Sequence, residues 1–188
     1  MSDRTGPRPG GRSARVQAAV HRAVRELQQE RDRAALTVPV IATRAGVTPS
    51  TIYRRWGDLA GLLADVAVER MRPDQVPADT GSFRGDVLAW LTQYADEMAS
   101  APGRAMLRDV LGTEAYVGAC KCDGFLREHV ESLRERARAR GEQPPPVSLL
   151  VERIVAPLLY GILFTNETPT AELLEALFDQ MMLDHKHR

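Results

Sequence analysis

A chain of 188 residues, 44% hydrophobic and 27% charged, has enough apolar material for one medium domain, or for a small domain joined to a second. No run approaches the roughly 18 apolar residues of a membrane span. The first residues, MSDRTGPRPGGRS, lack the apolar stretch of a secretory signal, so a cytoplasmic protein with no membrane partner is expected.

The formal charge is zero but unevenly placed: residues 1–60 carry eleven arginines against five acids, and the rest carries 14 basic against 20 acidic groups. A phosphate-binding module on a larger body has this distribution, although unequal solvated helix faces give it too. Residues 1–12 are Gly, Pro and Arg with almost no apolar content and are expected to be a disordered basic arm. Arg4, Arg8 and Arg12 on it suit a minor groove or a phosphate backbone, unless the arm is a silent tail. Ser13 is placed to cap a first helix to about Arg31, with Val16, Val20, Ala23, Val24 and Leu27 on one face.

The next two helices are short. Thr37 caps one whose first turn tolerates Pro39, with Ile41 and Ala42 facing inward. Gly46 permits the positive φ of a tight turn, and Val47 anchors that turn. Thr48 followed by Pro49 is a helix start signal for Pro49–Arg55, whose Ile52 and the following Trp56 point to the core. Two such helices on a short Gly-containing turn make a helix-turn-helix, the geometry that enters a major groove. The expected DNA-facing residues are Thr37, Arg44, Thr48, Pro49, Ser50, Thr51, Tyr53, Arg54 and Arg55. Small hydroxyl side chains let the helix approach base edges, its free amides favour a phosphate, and Tyr53 and Arg54 reach the flanking backbone.

Asp58 is placed to cap a fourth helix, Leu59 to about Arg70, and Pro73–Gly81 reads as a linker. A helix from about Ser82 to Ser100 follows, then a short one after Pro102, then Thr113–Arg140, which is continuous or broken near Gly118 or Gly124. Gly141 ends it, and three prolines forbid its continuation. Val147–Phe164 is strongly apolar, and Thr168 with Pro169 starts a last helix to about Leu183. No alternating strand pattern appears. The expected fold is all-α, with about nine helices: a helix-turn-helix domain over 13–58 and a helical effector-binding and dimerisation domain over 59–188.

The string TVPVIATRAGVTPSTIYRRWGDLAGLL carries Thr37, Ile41-Ala42, Gly46-Val47, Ile52-Tyr53 and Trp56 at the spacing of a known signature. In this it resembles the tetracycline-repressor (TetR-type) family of transcriptional regulators, over roughly residues 13–70. The resemblance implies a homodimer whose last two helices build a four-helix bundle with their copies, a cavity for a small-molecule effector, and release from a double-stranded DNA operator when that cavity fills. One departure is Leu59, where the family usually carries a phosphate-directed Lys; Arg54, Arg55 or the arm then has to compensate.

Two copies on half-sites one helical turn apart would add affinity and specificity, so a pseudo-palindromic operator is expected. Apolar stripes on the final helices are wider than a monomer would expose, and Val151, Ile154, Val155, Leu158, Ile162, Leu174, Leu177, Phe178 and Met181 are the expected seam between two copies. Pro157 should bend the first of these helices, whether or not the bend shapes the seam. Phe83, Trp90, Tyr94, Met98, Met106, Tyr116 and Phe125 are the candidates for an apolar ligand pocket, each of them also acceptable as ordinary core.

Cys120 and Cys122, one residue apart, imply no disulfide framework, and with His129 they make a poor metal spacing, so no metal or cofactor is expected. No phosphate loop, nucleophile elbow or metal-binding His pair points to an enzyme. The alternative function is a helical protein-interaction adaptor, which leaves the Thr48–Arg54 surface without a role.

Overall fold

Helices account for every regular element in the computed structural model, which describes residues 11–71, 78–112, 117–165 and 168–187. Nine are present among those residues: α1 (Arg12–Glu30), α2 (Val38–Ala45), α3 (Pro49–Trp56), α4 (Leu59–Arg70), α5 (Phe83–Ala99), α6 (Ala101–Leu111), α7 (Val117–Ala139), α8 (Val147–Thr165) and α9 (Ala171–Lys186). A single 3-10 turn, Arg33–Ala35, links α1 to α2. The chain divides into two units, 1–69 and 70–188. The division follows Glu69 rather than Asp58, because Leu62, Leu63 and Val66 of α4 belong to the core of the first unit.

That first core gathers Val20, Val24 and Leu27 of α1, Ile41 of α2 and Ile52 of α3 around those α4 residues. Most of the start signals act as their chemistry requires. The Thr37 hydroxyl accepts from the Val40 amide at 3.4 Å, and Asp58 Oδ1 accepts from the Gly61 amide at 2.7 Å. Ser13 does not cap α1, which opens one residue earlier, at Arg12, with Gly11 at its N-cap and no side-chain cap. Arg12 is therefore helical, while Arg4 and Arg8 lie outside the described residues.

In the second unit α5 packs on α6, α7 and α9, and α8 packs on α7 and α9. Ser82 and Ser100 cap α5 and α6 by accepting from Gly85 and Gly103 amides at 3.1 and 3.0 Å. Gly103 has a steric reason: a Cβ there would lie 1.9 Å from the Glu97 carbonyl oxygen. Helix α7 runs unbroken through Gly124, and Gly141 ends it as expected. The last helix is capped by Thr170, which accepts from the Leu173 amide at 3.3 Å, and not by Thr168.

Helix α8 is 19 residues long and, by length and composition, apolar enough to cross a membrane, which counting only uninterrupted apolar residues had missed. Here Leu149, Leu150, Ile154, Leu158 and Ile162 are buried in the core, while Glu152 and Arg153 are exposed. Pro157 is accommodated by changes of helical register, with π-type turns over Val151–Val155 and Gly161–Thr165. A wider turn relieves the clash between the pyrrolidine ring and the carbonyl one turn back. The Arg104 guanidinium donates to the Ile162 carbonyl and, at 2.9 Å, to the Ala99 carbonyl.

The start of α5 is fixed to the end of α7 by buried charge. Asp86, fully buried, accepts from the Thr80 amide at 2.7 Å, the Thr80 hydroxyl at 2.8 Å and Arg140 Nη2 at 2.9 Å. Burial by itself raises this carboxyl, but the Thr80 and Arg140 donors outweigh it and hold it below its ordinary value. A folded-state value below the unfolded one means stability that is present above about pH 4 and lost as the pH falls through the folded value. Denaturation midpoints measured from pH 6 to pH 3 should fall less steeply for Asp86→Asn than for the wild type, from a lower starting stability at pH 6.

Candidate nucleic-acid interface and effector cavity

The turn between α2 and α3 is built as its sequence requires. Gly46 sits at φ 67° and ψ 33°, a left-handed conformation that costs glycine little, and the Val47 amide returns to the Ala42 carbonyl at 3.0 Å. Pro49 occupies the first turn of α3. Thr48 is at the N-cap, but its hydroxyl caps no amide; its Oγ1 lies 3.0 Å from both Ser50 Oγ and Thr51 Oγ1. The start of α3 is thus a cluster of three hydroxyls, a surface able to donate and accept toward base edges or a phosphate.

The expected DNA-facing set separates into two groups. Tyr53, 49% exposed, and Arg54 stand out from α3, and among the described residues neither takes part in the ion pairs of this unit. Arg44 and Arg55 are engaged internally. Arg44 makes a two-pronged pair with Glu30 of α1, at 2.6 and 2.9 Å, and reaches Glu26 at 3.3 Å. The hydrogen bond from Arg44 holds the Glu30 carboxyl below its ordinary value. Arg55 donates to the Ser13 carbonyl at 3.1 Å and hydroxyl at 2.7 Å and to Gln17, with its guanidinium 5.2 Å from the centre of the Trp56 ring. Both arginines therefore brace the helices against α1. Leu59, in place of the expected Lys, packs on the core.

A polar centre that sequence reasoning did not find holds α3 from behind. Asp65 Oδ2 accepts from the Trp56 indole at 2.8 Å and from Gln17 at 3.4 Å, and lies 2.9 Å from Nε2 of the buried His21. These four residues come from α1, α3 and α4, up to 48 positions apart, so no local pattern announces them.

In the second unit a cavity of about 880 Å³ lies among α5, α6, α7 and α8. Of the seven pocket candidates, Trp90, Tyr94, Met98 and Phe125 line it. Phe83 and Met106 are buried but are not part of its wall; Phe83 instead faces Phe178, with ring centres 6.1 Å apart. Tyr116 lies outside the described residues. His129 and Cys122, which the sequence suggests only as parts of a metal or thiol sensor, are on the wall, and among the described residues no cluster of metal-binding side chains occurs.

Residues 22–66 match the family model for bacterial regulatory proteins of the tetR family, and residues 77–181 match the tetracyclin repressor-like C-terminal domain. The chain belongs to the TetR family. It is a helix-turn-helix transcriptional regulator by that membership. Among its relatives are the regulator Rv1556 of Mycobacterium tuberculosis, 26% identical with 84% of this chain and 81% of the relative covered. YdeS of Bacillus subtilis is also 26% identical, with 89% and 86% covered. The solved TetR family regulator SCO0332 superposes with a TM-score of 0.68 at 26% identity, covering 90% of this chain and 97% of that one. The TetR family repressor FadR of Thermus thermophilus, solved with lauroyl-CoA, shares the fold with a TM-score of 0.65 at 17% identity, covering 88% and 93%.

The expected TetR-type seam needs correction. Ile154, Leu158, Ile162, Leu174, Phe178 and Met181 are buried within their own chain, and Val151 and Val155 line the cavity. The buried ones keep almost no surface for a second copy, whereas Val151 is half-buried. Of the expected set, the half-buried Leu177 borders a small apolar groove between α8 and α9, with Pro157, Tyr160 and Leu173. The apolar surface of these helices is led by Tyr160, 62% exposed, and Phe164, 74% exposed, whose rings stack at 4.9 Å.

Proposed function

We propose that this regulator is a homodimeric repressor that binds a pseudo-palindromic operator through α3 and leaves it when a small molecule fills the cavity of the second unit. The observation that carries the reading is the division of α2 and α3 into braced and free side chains. Arg44 and Arg55 are spent on α1, whereas the Thr48, Ser50 and Thr51 hydroxyls, Tyr53 and Arg54 are left toward solvent. An ordinary helical hairpin has no need of such a face. The exposed Tyr160 and Phe164 pair supports pairing of two copies along α8 and α9, since stacked aromatics are seldom left to water. A cavity of this size suits a drug-sized ligand, and the lauroyl-CoA complex of the Thermus thermophilus repressor supports effector control in this fold.

The test is a mobility shift on the DNA upstream of the chain's own gene, at two salt concentrations and against random duplex. Saturable binding above that to random duplex, weakening steeply with salt, is expected; no shift even at low salt would sink the reading. Tyr53→Ala and Arg54→Ala should each weaken operator binding by about 1–3 kcal/mol, with melting temperatures near wild type because neither side chain is in the core. A large stability loss for either would reassign it to packing.

A further inference from the structure

The cavity wall is apolar over most of its area, and the polar groups set into it are of one kind. Tyr94 from α5 and Cys122 and His129 from α7 are all uncharged near neutral pH. Burial pushes the Tyr94 phenol up, with help from Cys122 and Glu97, and pushes the Cys122 thiol up to about 11. Burial and then the charge of Arg136 push the His129 imidazole down. The charged side chains of the wall, Arg70, Glu97 and Asp123, are exposed, so charge is kept where the cavity meets solvent. Asp123 is already paired with Arg127 at 2.7 Å.

One atom in the uncharged set lacks a partner. His129 Nε2 is buried and, among the described residues, is the one buried side-chain nitrogen or oxygen without a hydrogen bond. Its ring stacks on Trp90 with centres 5.5 Å apart, and Trp90 packs on Tyr94 at 5.4 Å. A neutral imidazole has one N–H and one bare nitrogen, and an orphaned buried N–H is rarer than an under-satisfied acceptor. The bare nitrogen is therefore assigned to Nε2, an acceptor that remains unfilled beside aromatic faces.

We propose, resting on the effector-cavity reading above, that the cavity takes an uncharged, planar aromatic molecule whose hydroxyl or N–H group donates to His129 Nε2 while its ring lies against Trp90, Tyr94 and Phe125. A charged ligand would leave its hydration for a wall whose buried polar groups are neutral, a cost that no buried partner there offsets, Arg70, Glu97 and Asp123 being at the solvent-facing part of the wall. A donor fills the one acceptor that packing leaves open, which a purely apolar ligand cannot do. Nε2 is covered by its neighbours, so the donor reaches it through a rotamer change of His129 or Trp90, an ordinary event on binding.

Three probes separate these chemistries when titrated into the full chain by calorimetry: 2-naphthol, 2-methoxynaphthalene, which has no donor, and 2-naphthoate, which is an anion. 2-Naphthol is expected to bind at least about tenfold more tightly than either of the others. With 15N-labelled histidines, the bare-nitrogen signal of one imidazole is expected to move upfield with 2-naphthol and to stay in place with 2-methoxynaphthalene. His129→Phe is expected to bind those two probes alike. The imidazole signal is read in the wild type, so the test stands even if that variant folds poorly. Equal affinity for the two neutral probes, preference for 2-naphthoate, an unmoved imidazole signal, or no binding of any probe overturns the proposal. Selective 2-naphthol binding that leaves operator affinity unchanged would sink the effector reading and leave the ligand class standing.

Discussion

Phe164→Asp is expected to halve the mass of the protein in solution and to leave its helices and melting temperature near wild type, whereas Leu158→Asp is expected to unfold the second unit. The two residues lie six positions apart on α8, and of the two the sequence pattern assigns only Leu158 to the seam. Their surroundings are opposite. Phe164 is 74% exposed beside Tyr160, so a carboxylate there stays hydrated within one chain and loses its water only when a second copy covers it. Leu158 is 2% exposed, and a carboxylate there has neither water nor a cation, a change in the class that costs more than about 4 kcal/mol. Light scattering and circular dichroism on both variants decide the matter. A Phe164→Asp protein that remains dimeric would place the pairing surface elsewhere. A folded, monomeric Leu158→Asp protein would restore the seam that the stripes suggested.

The contrast on α8 marks where local chemistry stops informing the fold. Gly46, Thr37, Asp58 and Gly141 could be read from the chain because a cap or a left-handed residue is decided by its immediate neighbours. The helix-turn-helix was legible for the same reason, its turn and both starts lying within about 20 residues. The stripes on α8 and α9 state that two faces are apolar, but not which one meets its own core; that depends on where α5 and α7 lie. Trp90 and Tyr94 were found on the cavity because they share a helix face four residues apart. His129 was not, because its place depends on the packing of α7 against α5. Arg44 and Arg55 looked free for phosphate since Glu30 lies 14 positions away and Ser13 lies 42 away. The same blindness hid the centre at Asp65.

Asp65→Ala should lower both the stability of the first unit and its affinity for the operator. Helix α3 has eight residues, too few to hold helical shape without support. Its front face faces solvent, so its position is set from behind, by Ile52 in the core, by Arg55 on Ser13 and Gln17, and by the Trp56 indole on Asp65. Removing the Asp65 carboxylate leaves the indole N–H and the buried His21 nitrogen without it, and orphaned buried donors cost about 1–3 kcal/mol each. A loss of about 2–4 kcal/mol is expected, read by urea denaturation of Trp56 fluorescence in a Trp90→Phe background, so that the probe reports the first unit alone. Operator affinity is expected to fall about tenfold or more even where the variant is fully folded, because the Tyr53 and Arg54 face then lacks its rear support. Asp65→Asn keeps an oxygen for the indole and should recover most of that affinity. Glu30→Gln, which weakens only the exposed brace on Arg44, should change stability little. If folded Asp65→Ala binds the operator as tightly as wild type, the centre serves stability alone and the placement of α3 is set by its apolar contacts.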